Sequence, residues 1–400
     1  MYRLIGIIGI VSLYGTFTNA LPVSAIICCF AFVVPFVIYK NEKINKMVFL
    51  AIVLLTYYFI YTVLYDWKSL LEYDFFRRDG NAFVSIIPLI VLGSISLHYS
   101  ISKILDYYIF FITLVNSIFM LMFFLTGGTI ISNEPGIYHL LFKAHNAAGG
   151  FLMIVCALCL GMCYIKRKRV YYFCLLVNFI GLILTDSRGS VLGLLFGAFA
   201  LYSVKKNVFK YLLAIFIFLQ IIMYTSAYCF APDNFLTVNL MTVDMLDLND
   251  TMNRVGTFIN RFFYLWPRAI YLFLQSPLFG TGFGSYDDWP YRLIGEYGFR
   301  MNDSIIVHSE SHAHNSYLNI LAETGIVGMM LFICFINSIH KYIVDKMRYN
   351  PNVASGLLIA LWASMAASIT EHRIFTPSQM LPFFIILGLF ISINNGRVNK

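Results

Sequence analysis

Charge is what this chain of 400 residues has least of: Asp, Glu, Lys and Arg make up 12% of it, against 60% hydrophobic residues and a mean hydropathy of +0.76. A soluble domain carries about twice that share of charge, so a water-facing globular fold is excluded. Internal repeats at a solenoid period and low-complexity tracts are also lacking, which excludes stacked-repeat and linker-like architectures. The eight cysteines fall almost wholly within apolar runs, so there is no framework of exposed pairs for disulfides. Cys156, Cys159 and Cys163 share a helix face, and packing accounts for them better than metal binding.

What is present is apolar length. Runs able to cross roughly 30 Å of hydrocarbon recur from end to end, so the expected fold is an all-α polytopic membrane protein with about 12 transmembrane helices. The spans are placed at 4–18, 21–39, 47–65, 82–98, 105–127, 149–165, 170–185, 191–204, 208–227, 316–339, 352–369 and 379–393. Met1-Tyr-Arg3 and the run after it mimic a signal peptide, but lack a small-residue cleavage site and are read as a span.

Lys and Arg divide unevenly across this ladder, 17 of 28 on one side and 11 on the other, five of the latter within one long loop. Cytoplasmic loops retain positive charge. Both termini are therefore expected in the cytoplasm, and the net charge of +8 is a topological signal rather than a nucleic-acid footprint. The expected organisation is helices 1–9 with short loops over 1–229, a long external loop over 230–315, and helices 10–12 with a short tail over 316–400.

A connection as long as 230–315 is usually functional or disordered. Its aromatic-rich stretch 251–276 reads as one or two interfacial helices, with Phe258, Phe262, Phe263, Leu265 and Trp266 towards lipid. Arg254, Arg261 and Arg268, spaced by seven, would form one stripe on a continuous helix that Pro267 is placed to break. The run Pro277-Leu-Phe-Gly280-Thr-Gly282-Phe-Gly284 is a turn whose backbone can approach a ligand or another helix closely.

Candidate chemistry gathers on the external side. His312-Ala-His314-Asn315 opens the span at 316, putting imidazoles where a helix enters hydrocarbon. Asn315, Asn319 and Glu323 continue as a polar stripe, and Glu323 lies within the bilayer thickness, where an ionisable group is costly. Gly325 and Gly328 read as close-packing positions. Arg188, in a turn of small residues at a span end, suits bidentate phosphate binding, with lipid-headgroup contact the equal alternative. His145-Asn146 opens another span. A metal site at His308-Ser-Glu310-Ser-His312-Ala-His314 is set aside, because neither cysteine nor a helical His-Glu-x-x-His pattern supports it. Glu371-His372-Arg373 is a further external charge cluster that either lines the same cleft or is solvated.

These pieces resemble one family, the O-antigen ligases of the ligase–polymerase superfamily of bacterial surface polysaccharide. The hallmark His-Asn, nine residues, Gly, two residues, Gly is matched by His314-Asn315, Gly325 and Gly328. Ser187-Arg188-Gly189 resembles the family's arginine after the seventh span, and the stretch from Trp266 to Gly284 its segment before the histidine. His145-Asn146 stands where the family commonly has Pro-Asn. The family's second arginine lies just before the tryptophan; Arg261 is the nearest match, one residue out of register, with Arg254 and Arg268 as alternatives.

The resemblance implies inverting transfer of a glycan from undecaprenyl diphosphate to lipid A–core at the periplasmic face of the inner membrane, without cofactor or metal. It implies His314 as base and Arg188 and Arg261 as cations on the diphosphate. His312, Asn315, Arg254, Arg268, Gly282, His145, Asn146 and Glu323 are expected to help bind substrate, with Asn315 or Glu323 orienting the imidazole. Two rivals remain: a repeat-unit polymerase with a growing glycan as acceptor, and a transporter or flippase of the lipid-linked sugar. The last should show charge in mid-span and discontinuous helices.

Overall fold

A computed structural model describes residues 45–71, 81–128, 136–142, 144–166, 168–231, 261–286 and 312–398. The expected spans at 4–18 and 21–39, Arg254, and most of the long loop with His308 and Glu310 lie outside the described residues. The other expected spans are helical over most of their length, though the one at 82–98 is helical only to Gly93, since in hydrocarbon a backbone that does not bond within its own segment leaves groups costing several kcal/mol each.

The helices are α1 (Lys46–Asp66), α2 (Asn81–Gly93), α3 (Ile101–Thr126), α4 (His145–Lys166), α5 (Arg169–Leu184), α6 (Arg188–Lys205), α7 (Phe209–Cys229), α8 (Trp266–Gln275), α9 (Ser316–Lys346), α10 (Pro351–Ala367) and α11 (Pro377–Val398). Six of them, α1, α3, α4, α7, α9 and α11, are long and apolar enough to cross a membrane, and no strand occurs among the described residues. The chain is an all-α, multi-pass membrane protein.

Burial separates inner from outer helices. Of the apolar stretches, 83% of α4 and 89% of α11 is buried, but only 17% of α7. The buried α10 packs on α4 and α6, and α11 on α2 and α4, so these form the interior. The outer α3, α5 and α7 turn Leu121, Leu125, Leu176 and Phe218 outward, a surface that suits lipid.

The interfacial reading of 251–276 is corrected where it is described. Leu265 and Trp266 are buried against Ala227, Leu272, Tyr286 and Leu318 instead of facing lipid. The segment's apolar face has the start of α9 to pack on, and α8 covers it.

The glycines of the α9 motif have a backbone task. At Gly325 (φ 63°, ψ −163°) the helix breaks, and the displaced bonds are remade by the glycine-rich run. Ile326 N and Val327 N donate to Pro277 O and Leu278 O at 2.9 and 3.1 Å, and the carbonyls of Ala322 and Glu323 accept from Thr281 N and Gly282 N at 2.9 and 3.0 Å. Tyr57 caps Thr324 O at 3.0 Å. A Cβ on Gly325 would sit 2.5 Å from the Leu278 backbone, and one on Gly280 2.3 Å from Glu323. The nine residues between Asn315 and Gly325 are thus the length of helix from its cap to this stitch. A discontinuous helix was the mark expected of a transporter; here the discontinuity is filled by the protein's own backbone.

Candidate active site

Helices α4, α6, α9 and α11 all begin at one end of the bundle, so their positive dipole ends and first amides converge there. The sequence supplies a polar residue at each start, and these meet. Asn146 opens α4, Ser187 precedes α6, Asn315 caps α9 through Tyr317 N and Leu318 N, and Gln379 lies in the first turn of α11. Gly149 and Gly150 permit the approach: a Cβ there would meet Ser187 Cβ at 2.3 Å and Gln379 Oε1 at 2.1 Å.

At the centre is Glu371, in the loop between α10 and α11. Its Oε1 accepts from Arg261 Nη2 at 2.6 Å and from Asn146 Nδ2 at 3.0 Å, while Oε2 lies 3.0 Å from His314 Nδ1. Burial alone would raise this carboxyl. The hydrogen bond from His314 and the charges of His314, Arg261 and Arg373 outweigh it and hold the group well below the usual carboxylate range. The ionised carboxylate fixes the imidazole proton on Nδ1.

His314 is a non-glycine residue in the left-handed region (φ 47°), a conformation that costs on the order of 1 kcal/mol and persists only where neighbours enforce it. They do: Asn319 Oδ1 accepts from Ala313 N at 3.0 Å, and Asn315 Nδ2 donates to Tyr224 OH and Ile369 O, both at 2.8 Å. Asn315 is spent on capping and docking, so Glu371 orients the imidazole in its place. Glu323 lies about 13 Å further along the axis, at nine residues and 1.5 Å each, beside the Gly280–Gly282 stitch. Strain recurs at Asp186 (φ 50°), which leads into Ser187 and Arg188.

Arg188 stands out into the open, its side chain 72% exposed, with Asp186 at 3.9 Å. Arg261 is 16% exposed. It occupies a π-helical turn, Arg261–Leu265, immediately before Trp266. A π turn is what one inserted residue makes of an α-helix, and it matches the one-residue offset of Arg261 from the family pattern. It also breaks the seven-residue stripe. Arg268 turns away, buried, donating to Tyr286 O at 2.8 Å with its guanidinium 4.8 Å from the Tyr286 ring.

Three imidazoles edge the cluster: His312 lies 4.6 Å from His314 and 5.1 Å from His372, centroid to centroid. His372 is pushed down to about 3, by burial first and then by the charges of His312 and His314, against the opposing pull of Glu371. Among the described residues no three His, Cys, Asp or Glu side chains are set to hold a metal. His145 lies beside His139, 6.0 Å between rings, and Gly282 packs under Tyr65 in the stitch.

Of the residues singled out from sequence, the structure therefore joins His314, Arg261 and Asn146 on Glu371, sets Arg188 in the adjoining turn next to Ser187, and leaves Arg268, Gly282 and Glu323 elsewhere. Of the two readings the sequence leaves open for 371–373, a cleft lining or a solvated cluster, the first is the one seen, with Glu371 on His314, Arg261 and Asn146. Arg373, fully buried, donates to Ser190 Oγ at 2.7 Å, Ser187 Oγ at 3.1 Å and Gln379 Oε1 at 3.1 Å. Two opposite charges flanking a histidine, in a short connection on the same side as His314, were the one available signal.

Residues 173–333 match the family model of the O-antigen ligases. The matched stretch includes Arg188, Arg261, His314 and the Gly325 break; Glu371 and Arg373 lie beyond it. The chain has no match among curated proteins.

Proposed function

The chain carries an O-antigen ligase domain, a glycosyltransferase, and from that premise we propose that it moves a glycan from undecaprenyl diphosphate to lipid A–core at the periplasmic face, with inversion. The observation that carries this reading is the meeting of Arg261, Asn146 and His314 on the single carboxylate Glu371. The acceptor hydroxyl oxygen attacks the anomeric carbon while the bond from that carbon to the diphosphate oxygen breaks. His314 Nε2 takes the hydroxyl proton, since Nδ1 is committed to Glu371. The leaving diphosphate gains charge, which Arg188, Arg261 and the converging helix starts offset in a site short of water. In this reading the guanidiniums supply the positive charge that other transferases draw from a metal.

Two features support the donor's identity and side. An apolar cavity of about 410 Å³ runs between α7, α9 and α10, from Phe209 and Trp362 up to Tyr224 and Tyr317. Its upper end is one hydrogen bond from Asn315, so a polyprenyl chain lying in it would bring its diphosphate to the cluster. Lys168, Lys205, Lys206, Lys210 and Lys346 lie at the helix ends away from the site, as a cytoplasmic face requires.

The test is transfer in vitro from purified lipid-linked donor to lipid A–core. His314→Ala is expected to lower the rate by roughly 10²–10⁴ while the protein remains inserted and abundant. Wild-type rate from that variant would remove His314 as base, and activity lost on chelation would replace the guanidiniums with a metal.

A further inference from the structure

The inference concerns Arg188 and rests on the diphosphate reading above. Among the described residues nothing holds the Arg188 side chain in one direction: it is largely exposed, and its ion pair there is long, 3.9 Å to Asp186. Its direction must come from the backbone of the Asp186–Ser190 turn, yet that turn contains a left-handed Asp186. Ser187, the residue before α6, makes no side-chain cap to it. Its hydroxyl is used otherwise, donating to Asn146 Oδ1 at 3.2 Å and lying 2.8 Å from Ser190 Oγ.

Both hydroxyls are gripped by one side chain from the other end of the sequence. Arg373 holds Ser187 with Nη2 and Ser190 with Nη1, the residue just before Arg188 and the residue two after it. Its backbone N is in turn fixed to Ser316 Oγ at 2.9 Å, at the start of the helix that carries His314. The loop between α10 and α11 therefore grips both halves of the site. Glu371 holds the imidazole and Arg261; Arg373, two residues on, holds the turn that bears Arg188.

We propose that Arg373 is a positioning residue that sets Arg188 against the His314–Glu371–Arg261 group, so that the donor diphosphate is clamped from both sides. It need not touch the donor: it is buried behind the turn, acting through Ser187 and Ser190.

The experiment is a binding cycle with undecaprenyl diphosphate on the full-length protein in nanodiscs, comparing wild type, Arg373→Lys, Ser190→Ala, Arg188→Lys, and Arg373→Lys and Ser190→Ala each combined with Arg188→Lys. Arg373→Lys is expected to weaken binding roughly ten-fold, the coupling typical of residues sharing a hydrogen-bond network. In the Arg188→Lys background that loss should shrink to under about two-fold, because the residue it positions is already impaired. The KM for lipid A–core should stay unchanged, which a general loosening of the fold would not allow. Wild-type binding by Arg373→Lys, or losses that simply add, would overturn the proposal. If Arg373→Lys does not fold, Ser190→Ala decides the same cycle by the same criteria. Failure of the wild type to bind undecaprenyl diphosphate would instead remove the diphosphate reading itself.

Discussion

Arg261 and Arg268 are the same residue type, seven positions apart on one short segment, and they end in opposite surroundings. Arg261 shares a carboxylate with an imidazole and an amide at a partly open edge. Arg268 is sealed against Tyr286, its guanidinium against the ring and the backbone carbonyl. A guanidinium with five donors is a ligand clamp only where some of them face solvent or substrate; enclosed, it is a packing element whose removal exposes its partners' needs. Position in sequence does not separate these outcomes. The π turn between the two residues does, by rotating one relative to the other.

Breaking that contrast gives the largest expected effect. Arg261→Ala should lower transfer roughly 10²–10³-fold, the usual cost of losing one charge-stabilising donor, with little change in melting temperature. Arg268→Ala should do the reverse: a loss of about 2–4 kcal/mol of stability from the unpaired buried carbonyl and the emptied space, with activity per folded molecule kept within a few-fold. Thermal unfolding in detergent beside transfer rates checks both, and matching profiles would erase the distinction.

A smaller effect sharpens it. Glu371→Gln keeps the shape but removes the charge shared by Arg261 and His314, and should cost roughly 10–100-fold in rate, less than removing the base itself. Because the folded Glu371 lies well below its ordinary value, its contribution to stability is complete above about pH 4.3 and is lost as pH falls from there through the folded value. The stability gap between wild type and Glu371→Gln should thus be flat from neutral pH to about 4.3 and close only in stronger acid.

The smallest effect belongs to His372. Its folded value of about 3 lies below the ordinary one for histidine, so the neutral buried ring stabilises the protein fully above about pH 6.5 and the contribution is lost as pH falls towards 3. Wild-type stability should decline below about pH 6.5, and His372→Phe should flatten that decline in melting temperature measured across pH. An equal decline in the variant would place the titration elsewhere.

Much of the site was legible because it sits at helix starts. Asn315 before an apolar run signals a cap, the imidazole beside it a polar mouth, and Arg188 a span end, all properties of a few neighbouring residues. Glu371 could not be assigned its role in that way. Its partners are 57, 110 and 225 residues distant, and a charge in a short loop looks alike whether it faces water or a guanidinium. The direction of Leu265 and Trp266 was misjudged for a related reason: an aromatic helix face fits lipid or protein equally well, and the choice depends on whether another helix lies alongside.

The amino-acid order alone determined that this chain is helical and crosses a membrane repeatedly, because hydrocarbon demands contiguous apolar length and self-bonded backbone, and both are written locally. It also put most of the described membrane helix starts within about four residues and showed which polar groups stand there. Which starts meet, which arginine keeps a free edge, and how the break at Gly325 is made good were settled only by packing. Those outcomes depend on distances between segments far apart in sequence, which hydropathy and spacing do not encode.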